Sequence, residues 1–195
     1  EVWQRVKARH PAPGQLVQAV RDQLGDLVTF LERNALVTLP DDERLVVAPT
    51  PDFYRWTMAS VWTPGPFEPK SLPSYYYVTD VDPSWSARRA EEHLRDLSFA
   101  TLWSVSVHEA YPGHFVHLRH QRKITRALRK STLFAPMSFI EGWAHYCEQM
   151  MMEAGLGRND DTLELGQIAK ALLRLVRMVV GIKLHTEDLS VEQGV

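Results

Sequence analysis

The chain has 195 residues, 45% of them hydrophobic and 24% charged, which is typical of a globular protein and excludes a disordered or fibrous one. With 22 basic and 24 acidic residues the formal net charge is −2, so the sequence lacks the basic surface that a nucleic-acid-binding domain needs. A single cysteine, Cys147, excludes an internal disulfide and a zinc site built from cysteines alone, and no apolar run is long enough to span a membrane.

The first region, 1–39, is predicted to be a helical segment. After a Pro-Ala-Pro-Gly break at 11–14, apolar residues recur at spacings of four, four, three and four: Leu16, Val20, Leu24, Leu27 and Leu31. This is the period of one face of an amphipathic helix, which we expect to be buried.

The second region, 40–83, holds eight of the twelve prolines and is predicted to be a loop-rich layer with short strands. Residues rich in β-branched and aromatic side chains indicate strands over 44–48 and 75–81. We expect four aromatic side chains to be buried in this layer: Phe53, Trp56, Trp62 and Phe67.

The third region, 84–195, is predicted to be helical. Ser84 or Ser86 can cap a helix that continues through Asp96, and further helices are expected from about 136 to 154 and from 161 to 185. The last of these is apolar over most of its length, so we expect it to be buried. The fold class is therefore mainly α with a small β layer, and we expect one compact domain cut from a longer protein.

The main chemical signal is a cluster of histidines, because five of the eight fall within 108–145. Its centre is His108-Glu109-Ala110-Tyr111-Pro112-Gly113-His114, in which Glu109 is the only formal charge between residues 97 and 118. A buried carboxylate is costly unless it is paired or bound to a metal. Two imidazoles beside a carboxylate are the components of a zinc hydrolase site, with the imidazoles as ligands and the carboxylate as the base that takes a proton from water.

The spacing of the two histidines does not suit a regular helix. Residues six apart lie about 120° apart around the helix and about 9 Å apart along it, too far to share one ion. However, Pro112 would clash with the carbonyl of His108, and Gly113 permits unusual dihedrals. We therefore predict a two-residue bulge that brings His108 and His114 together.

Glu141 is the candidate for the third metal ligand. It follows His114 by 27 residues and shares a polar stripe with His145 and Glu148, opposite an apolar arc that contains Cys147. Two alternatives are open: Ser138 and Glu141 fit a capping box, and the stripe fits a solvated helix face. His117 and His120 are predicted to lie on the surface, although His114 and His117 form an alternative chelating pair.

Together, the segments 108–114 and Glu141-Gly-Trp-Ala-His-Tyr-Cys-Glu148 resemble the bacterial family catalogued as domain of unknown function 885. Its members look like relatives of zinc peptidases of the thimet-oligopeptidase and carboxypeptidase Taq types. The resemblance covers the chain from about residue 40 onward. It implies a helical, gluzincin-like catalytic half with His108, His114 and Glu141 as ligands and Glu109 as general base.

A second pattern of this family is an Arg and a His eight residues apart on the following helix, with an Asp between them. Arg177 and His185 match it, whereas Gly181 stands at the place of the Asp. The family also implies a further segment with Tyr and Pro-Gly, so we expect residues outside this chain to complete the active site. A cytoplasmic location is the expectation for the whole protein.

These observations predict a zinc-dependent hydrolase that acts on a peptide or a small amide substrate. Zinc is expected from the ligand set alone, because the same ligands also accept other divalent metals. The oxyanion would be stabilised by one of four side chains: Tyr111, Tyr146, His145 or His185. Arg177 would bind a substrate carboxylate or, alternatively, form a structural ion pair within the helical bundle. Two other functions fit the same residues, an inactive domain that binds a ligand or a protein and a hydrolase of non-peptide amides or esters.

Overall fold

The computed structural model describes residues 1–40 and 45–194, and in this part helices dominate. The helices are α1 (Val2–Lys7), α2 (Leu16–Asn34), α3 (Ala87–Asp96), α4 (Phe99–Glu109), α5 (His114–Arg122), α6 (Ala127–Lys130), α7 (Met137–Glu153) and α8 (Asp161–Thr186). The strands are β1 (Leu45–Pro49), β2 (Ala59–Trp62) and β3 (Ser74–Val78). The prediction of a mainly α protein with a small β layer is confirmed.

The predicted apolar face of α2 forms a large part of the core. All five leucine and valine residues of this face are buried, and they pack towards α4 and β1. Ser86 caps α3 by accepting a hydrogen bond from the amide of Arg89. The helical period and the capping residue were therefore sufficient to predict these two helices.

The three strands form one sheet in the order β1-β3-β2, with β3 parallel to β1 and antiparallel to β2. The predicted strand over 44–48 corresponds to β1, although Arg44 lies outside the described residues. The strand predicted over 75–81 ends earlier, at Val78, and β2 was not predicted. Tyr76 and Val78 are buried under the helices, so successive side chains of β3 point to opposite faces of the sheet.

The expectation that four aromatic side chains are buried in this layer is wrong. Phe53, Trp56, Trp62 and Phe67 are between 41% and 78% exposed. Trp62 pairs with Tyr75 across the sheet, on the face turned away from the helices. Three of the rings instead contact neighbouring aromatic rings at the surface, as Trp62 does with Tyr54 at a centroid distance of 4.9 Å.

Helix α8 has almost the predicted bounds, but the expectation that it is buried is wrong. Only Leu163 and Gly166 are buried, and the apolar side chains of its second half are about half exposed. The reason is length: α8 has 26 residues, about 39 Å, and packs mainly against α4, which has 11 residues, about 16 Å. No helix in the described ranges is long and apolar enough to cross a membrane.

Candidate metal centre

The backbone between α4 and α5 brings the two histidines together. Helix α4 ends at Glu109, and the amides of Ala110 and Tyr111 both donate to the carbonyl of Ser106, at 2.9 and 3.2 Å. Gly113 then donates to the carbonyl of Val107 at 2.9 Å, and α5 begins at His114. As a result, the imidazole centroids of His108 and His114 are only 4.7 Å apart.

Gly113 is required for this turn because the backbone passes very close to it. A Cβ atom there would lie 1.8 Å from the carbonyl oxygen of His108 and 2.4 Å from that of Val107. We expect Gly113→Ala to lower the free energy of unfolding by about 3 kcal/mol or more, measured by denaturant titration.

The matched control is Gly25→Ala, at an exposed site on α2 where a Cβ atom would meet nothing within 4 Å. This variant should be more stable than the wild type by about 0.5–1 kcal/mol, as in other helix interiors. Equal stabilities for Gly113→Ala and the wild type would show that the turn tolerates a side chain.

Glu141, in the second turn of α7, completes a cluster of three ligand atoms. Its Oε2 lies 3.5 Å from Nε2 of His108, and its Oε1 lies 3.6 Å from Nε2 of His114. The three ligand atoms of the cluster lie within 4.8 Å of one another. The capping-box interpretation is wrong, because α7 begins after Pro136 and has no side-chain capping bond.

These separations fit a single metal ion. Ligand atoms at 2.0–2.1 Å from a tetrahedral zinc ion lie about 3.4 Å from one another, close to the distances between Glu141 and the two imidazoles. Two imidazole nitrogens and one carboxylate are also a ligand set of catalytic zinc sites, which leave one position open. The side chains therefore need only small movements to bind one ion.

Electrostatics ties the three side chains together without a metal. Burial lowers the pKa of His108, but hydrogen bonds to Glu141 and Glu148 outweigh it and raise this pKa to about 9. The two imidazoles in turn hold the pKa of Glu141 far below its usual range through their hydrogen bonds. At neutral pH a cation that binds here must therefore displace a proton from His108.

Glu109 lies beside this cluster and is held by the sheet. Its Oε2 accepts a hydrogen bond of 3.0 Å from the amide of Val61 in β2. Burial raises the pKa of Glu109, and the neighbouring His108 and His114 partly offset the rise. A carboxyl with a raised pKa, fixed beside two imidazoles, is suited to accept and return a proton.

A second carboxylate, Glu148, was not predicted as a site residue. Its Oε1 accepts a hydrogen bond of 2.8 Å from Nδ1 of His108, and Arg174 of α8 lies against it as an ion-pair partner. Burial raises the pKa of Glu148, but the bonds to His108 and Arg174 outweigh it and hold this pKa below its usual value. The spacing of seven residues from Glu141 was the signal that placed it on the same helix face.

The other predicted site residues differ in their contacts. His145 lies beside the group that holds Glu148, with Nδ1 3.3 Å from Nη1 of Arg174. Tyr111 packs on Phe115 and burial raises its pKa, whereas Tyr146 is 53% exposed. Arg177 and His185 are exposed on the overhanging half of α8, and within the described ranges neither makes a hydrogen bond or an ion pair.

The remaining histidines of the cluster do not join the three ligands. His117 is half-buried against Phe139 and Trp143, and burial lowers its pKa. His120 is exposed and contacts the carbonyl of Thr38 through Nε2 at 2.8 Å. The surface position predicted for these two histidines is thus confirmed for His120, whereas His117 is partly covered.

The chain matches a known protein family over almost its whole length. The profile of the family described as "Bacterial protein of unknown function (DUF885)" covers residues 3–195, so the chain belongs to this family. No curated protein matches the chain.

Among the solved structures that are similar to it are two described as putative lipoproteins. A protein described as a "putative lipoprotein of unknown function from Shewanella oneidensis" is 31% identical, with a TM-score of 0.84 over 98% of this chain and 33% of its own. A "putative lipoprotein from Colwellia psychrerythraea" is 23% identical, with a TM-score of 0.73 over 92% of this chain and 28% of its own, and shows the same fold. The chain thus spans about a third of the length of these structures.

Proposed function

Starting from its membership of the DUF885 family, we propose that this chain carries the catalytic centre of a zinc-dependent peptidase. The observation that carries the proposal is the convergence of His108, His114 and Glu141, with all three ligand atoms within 4.8 Å. Ligands of this kind and spacing suit one zinc ion with an open position. Glu109, which follows a ligand directly, supplies the base that such a centre needs.

Each residue has a defined task in this proposal. His108, His114 and Glu141 would hold the ion, which when bound polarises a water molecule and the substrate carbonyl. Glu109 would take the proton from the attacking water and deliver it to the leaving nitrogen. The bond from Val61 holds the carboxylate in place while the proton is transferred.

The position of β2 supports a peptide as the substrate. In the described part of the chain β2 pairs only with β3 and is an edge strand of the sheet. The amide of Val61 points away from β3 and reaches Glu109. An extended peptide can add to such an edge by main-chain hydrogen bonds, which would place its backbone next to the base. A small ester or amide would not use this edge.

Zinc titration of the metal-stripped chain tests the proposal. We expect one equivalent of zinc per chain, and binding that tightens as the pH rises from 6 towards 9. The sign follows from the raised pKa of His108, about 9: below that value the imidazole is protonated and competes with zinc, and above it the nitrogen is free. Calorimetry in two buffers with different protonation enthalpies would measure the released proton.

Less than about 0.2 zinc per chain after reconstitution would contradict the proposal and favour a binding domain without catalysis. Anomalous scattering at the zinc edge of a crystal would identify the ligands directly. A panel of short peptides, amides and esters then separates a peptidase from a hydrolase of other substrates, because only a peptidase would prefer the extended peptides.

A further inference from the structure

Behind the three proposed ligands, a carboxylate is buried without contact to solvent. The side chain of Glu148 on α7 has no exposed surface. A carboxylate removed from water is costly unless its oxygens are bonded, and both oxygens of Glu148 are. Oε1 accepts from Nδ1 of His108 at 2.8 Å, so this buried group contacts a proposed ligand through the ring nitrogen that does not face Glu141.

Two further side chains fix the orientation of this carboxylate. The guanidinium of Arg174 donates to both of its oxygens, at 2.7 Å to Oε1 and 3.0 Å to Oε2, a bidentate geometry that restricts rotation. The hydroxyl of Ser104 on α4 donates to Oε2. Glu148 is therefore held by α4 and α8 while it holds His108.

The short distance between Arg174 and His108 is explained by an acceptor that they share. Nη2 of Arg174 lies 3.2 Å from Nδ1 of His108, but a guanidinium can only donate. Both nitrogens bond Oε1 of Glu148, which accounts for their proximity. In the neutral imidazole that binds a metal, Nδ1 of His108 therefore carries the proton towards Glu148 and leaves the lone pair on Nε2, the atom that faces Glu141.

The two proposed imidazole ligands are not equivalent in this respect. Nδ1 of His114 is buried and has no hydrogen-bond partner among the described residues. On its Nδ1 side the ring of His114 is thus held by packing, whereas the ring of His108 is also oriented there by a hydrogen bond. The hydrogen bond that His108 donates to Glu148 is the polar contact that selects the ring orientation and the tautomer of a proposed ligand.

We infer that Glu148 is a positioning residue of the metal site, which fixes His108 with Nε2 directed at the ion and is itself fixed by Arg174 and Ser104. This inference rests on the proposed function, because it assumes that His108 binds a metal. The competing explanation is that Glu148 and Arg174 form only a salt bridge that joins α7 to α8. The two explanations differ in what happens to metal affinity.

The two explanations can be separated by measuring zinc dissociation constants. These are obtained by competition with a chelator of known affinity. We expect Glu148→Gln to weaken zinc binding about 10- to 100-fold, the usual effect of losing an outer partner of a ligating histidine. Arg174→Gln should change affinity in the same direction. Glu153→Gln is the matched control, since this exposed glutamate on the same helix forms a side-chain hydrogen bond, among the described residues, only with Gln149 and should leave the constant unchanged. Cobalt spectra of each variant would report whether the ligand geometry changes.

The midpoint temperature of thermal unfolding is measured separately for each metal-free variant. If Glu148→Gln lowers that midpoint but binds zinc within about twofold of the wild type, the contact is only structural and the inference is overturned. Should Glu148→Gln not fold, Arg174→Gln, whose side chain is 30% exposed, decides by the same criterion. A wild type that binds no zinc overturns the proposed function as well, whereas tight binding by every variant overturns this inference alone.

Discussion

His114→Ala is expected to weaken zinc binding by about a factor of 1,000 or more, the loss expected on removing one of three protein ligands. The substitution should leave the fold intact, because within the described residues Nδ1 of His114 bonds no other group and its Nε2 faces only Glu141. The change in affinity therefore reports the loss of a ligand rather than unfolding. Metal analysis after gel filtration, combined with a chelator competition, would measure it.

His117→Ala is the informative control for this prediction. His117 lies one helical turn after His114 on α5, and its ring packs on Phe139 at a centroid distance of 5.2 Å. The substitution removes an imidazole of the same kind from the same helix, but the proposal predicts no loss of zinc. If His117→Ala lost zinc as His114→Ala does, the alternative chelating pair of His114 and His117 would become the better assignment.

If the proposed peptidase activity is present, Glu109→Gln is expected to keep zinc bound while lowering peptide hydrolysis by about 10³-fold or more. The amide oxygen of glutamine can still accept the hydrogen bond from Val61, so the side chain should keep its place. The glutamine side chain, however, can no longer take a proton from water. Steady-state hydrolysis of a peptide substrate, together with zinc content, would measure both parts of the expectation.

Glu153→Gln again provides the matched substitution, because it removes one carboxylate from an exposed site on α7. Its hydrolysis rate should equal that of the wild type. Full activity in Glu109→Gln would exclude this residue as the base, and loss of zinc in the same variant would place it among the ligands instead.

Local sequence patterns were sufficient to predict the features that depend on residues close together in the chain. The spacing of apolar residues predicted the buried face of α2, and the proline and glycine at 112–113 predicted the break that brings His108 and His114 together. These effects depend on residues within a few positions of each other, so the chain itself carries the information. The edge strand β2 was missed because four residues give little periodic signal.

Local patterns did not predict which apolar surfaces are covered by elements that lie far away in the chain. The apolar pattern of α8 correctly predicted a helix, but whether its faces are covered depends on how far α4 extends beside it. In the same way, the aromatic residues at 53–67 have the composition of a core, but all four side chains are exposed at the surface. Hydropathy measures the tendency of a side chain to be buried, whereas the neighbouring elements decide whether a surface is available.

By itself, the sequence determined the helical class, the turn between two histidines and the residue types of a metal centre. Only the tertiary structure decided which partners those residues have: Glu141 with both imidazoles, Val61 with Glu109, and Arg174 rather than Arg177 with a buried carboxylate. The physical reason is that the charge and hydrogen bonding of a buried group depend on atoms from helices and strands far apart in the chain. Those atoms come into contact only when the helices and the sheet pack against one another.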